Sequence, residues 1–311
     1  MSMQITEAFV QQYKANIFHL SQQKGSRLRM AVRSESQVGK RAYYERLGAT
    51  AAIKKLSRHS DTPLVDSAHS RRAVTMEDFE WADLVDEQDK IRTLIDPTNP
   101  YAQAAAWAMG RSMDDVLIAA MRGNAFAGEE AGTIVALPLA QKLLAHTDAV
   151  PGTPTNLNVD TLRRAKGVLD AADVDPSIER YFALNSSALQ SLLKETAVTS
   201  ADFNTVKALV QGELDTFMGF KFIRLERLAS ESVFFDGVTG DILAAPGSTL
   251  ANAKHMLAWA KDGVLLSVGK DMQGKIDPRV DKSYAMQVYA CMSIGATRLE
   301  DAMVVDIACA Q

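Results

Sequence analysis

Residues 96–124 carry the cleanest apolar periodicity in the chain. Ala106, Met109, Gly110, Met113, Leu117, Ala120 and Met121 recur at three-to-four spacing and make one stripe of a helix. Arg111, Asp114, Asp115 and Arg122 fall elsewhere around the wheel. Pro97 and Pro100 punctuate the start, and Gly123-Asn124 predicts a left-handed C-terminal cap. Such a helix runs on the order of 35 Å, at about 1.5 Å per residue. The Ala and Gly positions on its stripe predict close packing of something flat, such as a sheet.

Elsewhere the pattern is more broken. Residues 5–20 place Ala8, Phe9, Tyr13, Ile17 and Leu20 on one side of a short amphipathic helix. Residues 76–89 alternate Phe79 and Trp81 with polar positions, as a strand with one buried face does, and 85–95 reads as a short helix or turn. The spacing predicts a helix over 160–172, a buried strand over 181–184, a helix over 186–196 and a short one over 202–211. It predicts a single strand over 217–225, and 232–240 reads as a turn-rich loop. Two apolar runs in 255–268 are broken by the Asp262-Gly263 turn signal, 269–283 is polar, and 284–294 and 303–308 read as closing strands. Helices and strands mixed in this order predict an α/β or α+β architecture.

Composition narrows the function classes. With 311 residues, 47% hydrophobic and 23% charged, the chain can build one large or two moderate cores. A formal net charge of −4 argues against a dedicated nucleic-acid-binding protein. No apolar run is long enough to span a bilayer, and the first residues lack the pattern of a signal peptide. Cys291 and Cys309 give neither a disulfide framework nor a metal spacing and read as two partly buried thiols.

Catalytic chemistry finds little support. His19, His59, His69, His146 and His255 are scattered, and His59/Asp61 sits in a stretch too poor in core residues to preorganise a site. No phosphate-cradling glycine motif, GxSxG elbow or HExxH occurs. Ser186-Ser187 reads as a helix cap rather than a nucleophile. The expectation is therefore no enzyme, no cofactor, no metal and no catalytic residue.

The segregation of charge is the informative signal. Residues 24–72 are rich in Lys and Arg and sparse in large apolar residues, so they form an extended arm or loop, with Val38, Tyr43-Tyr44 and Ile53 hinting at the short strands of a hairpin. The strand that follows is acidic. Arg46, Lys54, Lys55 and Arg58 on the loop face Glu77, Asp78, Glu80 and Asp83 as candidate contacts between copies of the chain. Folding of both arms back onto their own domain is the plainer alternative.

In this order the elements resemble the major capsid protein of tailed bacteriophages, the Hong Kong 97-type fold. The resemblance rests on four pieces: 39–60 followed by the acidic strand 75–84, the helix 100–123, the helix 160–173 leading into Glu-Arg-Tyr-Phe-Ala-Leu at 179–184 and the helix after it, and Met218-Gly219-Phe220 beside a strand. It implies an α+β chain with an N-terminal arm (1–30), an extended hairpin loop (31–70), a peripheral domain with a long spine helix (71–125), an axial domain (126–254) and return strands (255–311) completing the peripheral domain and the sheets. It further implies hexamers and pentamers in an icosahedral virion capsid enclosing double-stranded DNA, without sequence-specific binding or a membrane. A separate scaffolding protein and a portal are the implied partners, with assembly in the host cytoplasm. Some members of the family cross-link a loop lysine to a neighbour's asparagine; Lys54 and Lys55 lie in that region, but no partner is aligned. A near-neutral subunit suits an inner wall that must release its DNA. An encapsulin-like nanocompartment subunit and a cytosolic α/β enzyme with a polar pocket within 153–240 are the competing readings.

Overall fold

The computed structural model describes residues 21–55, 57–58, 61–62, 64–86, 98–195, 216–244 and 247–311. The helices expected at 5–20 and 202–211, most of the 85–95 segment, and His19 and His59 lie outside these residues. In chain order the strands are β1 (Arg33–Ser36), β2 (Arg41–Leu47), β3 (His69–Thr75), β4 (Glu77–Val85), β5 (Ala125–Ala127), β6 (Thr133–Val135), β7 (Lys142–Leu144), β8 (Arg180–Leu184), β9 (Thr216–Phe217), β10 (Phe220–Arg224), β11 (Ser230–Phe235), β12 (Ser248–Ala260), β13 (Val264–Arg279), β14 (Ala285–Arg298) and β15 (Val304–Cys309). The described α-helices are α1 (Thr98–Arg122), α2 (Val159–Ala171) and α3 (Ser186–Lys194).

The chain divides into two compact units. One combines the described parts of 1–26 with 78–112 and 270–293; the other combines 27–77, 113–269 and 294–311. In the second unit a mixed sheet has the order β7-β15-β12-β8-β10-β9, with β11 also paired to β12. Residues 255–260 of β12 and all of β15 are buried, so they lack the in–out alternation of a half-solvated strand. Leu162, Ala165 and Leu169 of α2 and Ala188, Leu189 and Leu192 of α3 are buried. Both helices start on an asparagine: Asn158 accepts from Thr161 N at 2.7 Å and Asn185 from Ala188 N at 2.9 Å. The cap of α3 is thus Asn185, one residue before the serine pair expected to supply it.

The α1 stripe forms much as its periodicity predicts, with Met109, Gly110, Met113, Leu117 and Met121 buried. Three details differ. A β-carbon on Gly110 would lie 2.4–2.6 Å from the backbone of Gly25 and Ser26, so what the glycine admits is an extended segment, not a sheet. Asp114, expected on the polar side, is fully buried and accepts from the backbone N–H groups of Arg27 at 3.0 Å and Leu28 at 3.1 Å. The C-terminus has no left-handed cap, for neither Gly123 nor Asn124 has a positive φ. Instead Arg298, with no exposed surface, donates from Nη1 to the carbonyls of Ala120, Met121 and Gly123 and from Nη2 to Val135. Asp301 holds the Arg298 Nε at 3.0 Å. A cation meeting the last carbonyls does the work of a cap and complements the helix dipole.

Three strand readings also change. The stretch 217–225 is a hairpin of β9 and β10, because Met218 and Gly219 take φ of 51° and 86° and close a two-residue turn. The stretch 232–240 begins in strand, since β11 runs to Phe235 along β12. The polar 269–283 stretch is mostly the exposed continuation of β13. Among the earlier hints, Tyr43 and Tyr44 lie in β2, whereas Val38 and Ile53 are in no strand.

Candidate intersubunit surfaces

In the second unit, β2 and β3 pair antiparallel from Arg41↔Thr75 to Leu47↔His69, and the ladder closes on a neck where Gly48 N donates to Ala68 O at 2.8 Å. Beyond the neck the chain makes an excursion from 48 to 68. Its described residues are exposed, apart from a half-buried Ser67. Ile53 is 57% and Leu64 94% exposed, so this excursion has no core of its own. Lys54, Lys55 and Arg58 are exposed on it. Arg46 is set apart from them: it lies below the neck, half-buried, with its charge acting on Arg72. Burial is the largest influence lowering the Arg72 pKa; Asp301, at 2.6 Å, opposes it, and Arg46 and Arg298 reinforce it.

The outer face of the β2-β3-β5-β6 sheet carries a feature with little sequence signature. Directly paired residues share a face, and Tyr43↔Ala73, Ala73↔Phe126 and Phe126↔Ile134 are successive pairs. They form an apolar row across four strands, with Tyr43, Phe126 and Ile134 exposed. Arg71 lies over the Tyr43 ring and 3.8 Å from Glu45 beside this row. Exposed apolar residues at alternate strand positions are the only trace of it in the sequence, and they do not reveal which strands meet.

The acidic strand β4, which lies in the first unit from Asp78 onward, splits its charges between two faces. Alternation sets Glu77 and Asp83 with Phe79 and Trp81, and sets Asp78 and Glu80 on the other side. Asp78 accepts from Ser293 Oγ and Glu80 from Tyr289 Oη at 2.9 Å, both on β14. These neutral donors orient the two carboxylates without neutralising them. Asp83 accepts from the backbone N–H of Leu84 at 2.8 Å, and Glu77 is exposed. A partner that reaches one face of β4 therefore meets two of the four candidate acids.

Among the described residues no cluster of three or more His, Cys, Asp or Glu side chains is arranged to hold a metal. The second unit carries an ion-pair chain instead, buried at His255 and Asp306 and exposed at Glu231. Asp306 accepts from His255 Nδ1 at 2.9 Å and from Arg122 Nε at 3.3 Å, and Arg122 also meets Glu231 at 3.0 Å. Burial alone pushes Asp306 upward, but His255 and Arg122 outweigh it and hold the carboxyl below its usual range. An open groove of about 440 Å³ runs past Arg122, Glu231 and the exposed Asp115–Arg227 pair.

The comparisons with known proteins agree with this architecture. The profile described as phage capsid protein matches residues 5–311. No curated protein matches the chain. Among solved structures, the capsid of cyanophage P-SCSP1u superposes with a TM-score of 0.73 at 15% identity, covering 100% of this chain and 96% of that one. The head of Helicobacter pylori bacteriophage KHP40 gives 0.71 at 12% identity, with 99% and 98% covered. The capsid of a native GTA particle gives 0.64 at 12% identity, with 99% and 98% covered. A shared Hong Kong 97-type fold over the full length, together with a family profile spanning nearly every residue, assigns the chain to the phage capsid protein family.

Proposed function

We propose that this chain, a major capsid protein of a phage head, closes its shell as hexamers and pentamers of itself around double-stranded DNA, and that the 48–68 excursion reaches over a neighbouring copy. The observation that carries the reading is the excursion itself. It exposes Ile53, Leu64 and Val65 beside Lys54, Lys55 and Arg58, above a neck tied by one backbone hydrogen bond. Apolar side chains held in water with no core gain only when another surface covers them. Acidic residues of β4 on a neighbouring copy are the proposed receivers of the loop cations. The peripheral role falls to the unit containing β4 and the first half of α1, and the axial role to the large sheet with α2 and α3. A scaffolding protein, a portal and assembly in the host cytoplasm belong to this reading. The match to phage capsid proteins favours a genome-enclosing head over a nanocompartment.

Charge reversal tests it. Lys54→Glu with Lys55→Glu should leave the melting of the free subunit unchanged and impair shell formation in negative-stain images, most at low salt where screening is least. Glu77→Lys with Asp83→Lys, two acids on one face of β4, should then restore part of the assembly. Normal shells from the loop variant at low salt reject the intersubunit role. A loss of subunit stability would mean that the loop packs on its own domain.

A further inference from the structure

The first unit carries a pair of nucleophiles that the capsid role does not use. β13 and β14 run side by side, and Lys270 Nζ lies 3.1 Å from Cys291 Sγ across them. Along β14, Gln287, Tyr289, Cys291 and Ser293 alternate with buried Val288, Ala290 and Met292, so the sulfur sits on the half-exposed face. Lys270 is exposed. Tyr289, two residues before the cysteine, is held in place by its hydrogen bond to Glu80 on β4. An accessible sulfur beside an amine is the arrangement in which oxidised cysteine has an intramolecular nucleophile at hand. Cys309 is the opposite case: it is completely buried, and burial pushes its thiol well above the usual range.

We propose that Lys270 and Cys291 form a reversible covalent cross-link under peroxide, a sulfenamide that ties β13 to β14. The chemistry has two steps. Hydrogen peroxide oxidises the Cys291 thiol to sulfenic acid, transferring one oxygen to sulfur and releasing one water. The free amine of Lys270 then attacks that sulfur; an S–N bond forms, the S–O bond breaks, and the hydroxyl leaves as a second water with a proton from nitrogen. An added thiol reverses it, breaking S–N by attack on sulfur, returning the lysine amine and leaving a mixed disulfide that a second thiol reduces. The 3.1 Å separation already exceeds bonding distance by little more than a rotation at the end of a flexible lysine chain. The cross-link joins two strands of one subunit. It would stiffen the exposed part of β13 once the particle leaves a reducing cell for an oxidising medium.

The test uses the full chain, treated with hydrogen peroxide, digested and examined by mass spectrometry. The expected result is a peptide containing Lys270 joined to one containing Cys291, lighter by two hydrogens than the two together, released by dithiothreitol, with Cys309 still reduced. Lys270→Arg keeps a cation beside the sulfur but removes the amine; the link should vanish and dimedone should label Cys291 instead. A Cys291 that stays reduced, or that proceeds to sulfinic acid with Lys270 unmodified, overturns the proposal. So does an undiminished cross-link in the arginine variant.

Discussion

The strands β12 and β15 and the 48–68 excursion belong to the same unit and follow opposite rules. Residues 255–260 and 304–309 are buried side chain after side chain, and even their ionic groups, His255 and Asp306, pair with each other inside. The excursion exposes leucine and isoleucine together with its lysines. In the sheet, apolar area removed from water stabilises the subunit at roughly 25 cal/mol per Å². In the loop the same residue types contribute nothing to the free subunit, and any contribution waits for a second surface. The contrast separates positions that determine whether the subunit folds from positions proposed to determine whether subunits join.

The largest break of that contrast is a charge in the core. Leu117 is fully buried on α1, and Leu117→Asp should cost on the order of 4–5 kcal/mol or prevent soluble expression. A normally melting variant would show that the stripe is not packed. Next is the cap of α1. Arg298→Met leaves the carbonyls of Ala120, Met121, Gly123 and Val135 without this donor and should cost about 3–5 kcal/mol, read as a lower urea midpoint. An unchanged midpoint would mean that water or the backbone closes the helix equally well.

Asp306 makes the stability of the buried sheet depend on pH. Its carboxyl is held below the unfolded value of about 3.9, so its contribution is complete above that pH and is lost as pH falls through the lower folded value. Asp306→Asn should therefore cost about 3 kcal/mol at neutral pH and flatten the decline in stability below pH about 4. Parallel wild-type and variant curves across that window would remove Asp306 as the source. The smallest effect belongs to the loop. Leu64→Ser, at a side chain 94% exposed, should shift subunit stability by less than about 0.5 kcal/mol while lowering shell yield. A large drop in the melting temperature of the free subunit would erase the distinction between the two regions.

Much of this architecture was legible because it is written locally. The three-to-four stripe of α1, the alternation of Phe79 and Trp81 in β4, and the Asp262-Gly263 break between β12 and β13 each depend on neighbours within a few residues. So did the contrast between a basic, core-poor loop and an acidic strand. The features that differ from the local pattern are set elsewhere in the chain. The polar part of β13 carries no apolar period because its side chains face water, and it is a strand because β14 pairs with it. Asp114 looked like a surface carboxylate until two backbone N–H groups some 86 residues away required an acceptor. Gly123 and Asn124 offered a local cap, and an arginine 175 residues on supplied a buried one. The division of the β4 acids between faces, the apolar row through Tyr43, Phe126 and Ile134, and the approach of Lys270 to Cys291 have the same origin. Local pattern along the chain sets which segments want to bury a face and which cannot. Which groups meet is set by the folded arrangement, because hydrogen-bond and charge partners are chosen by distance in space and leave no period along the chain.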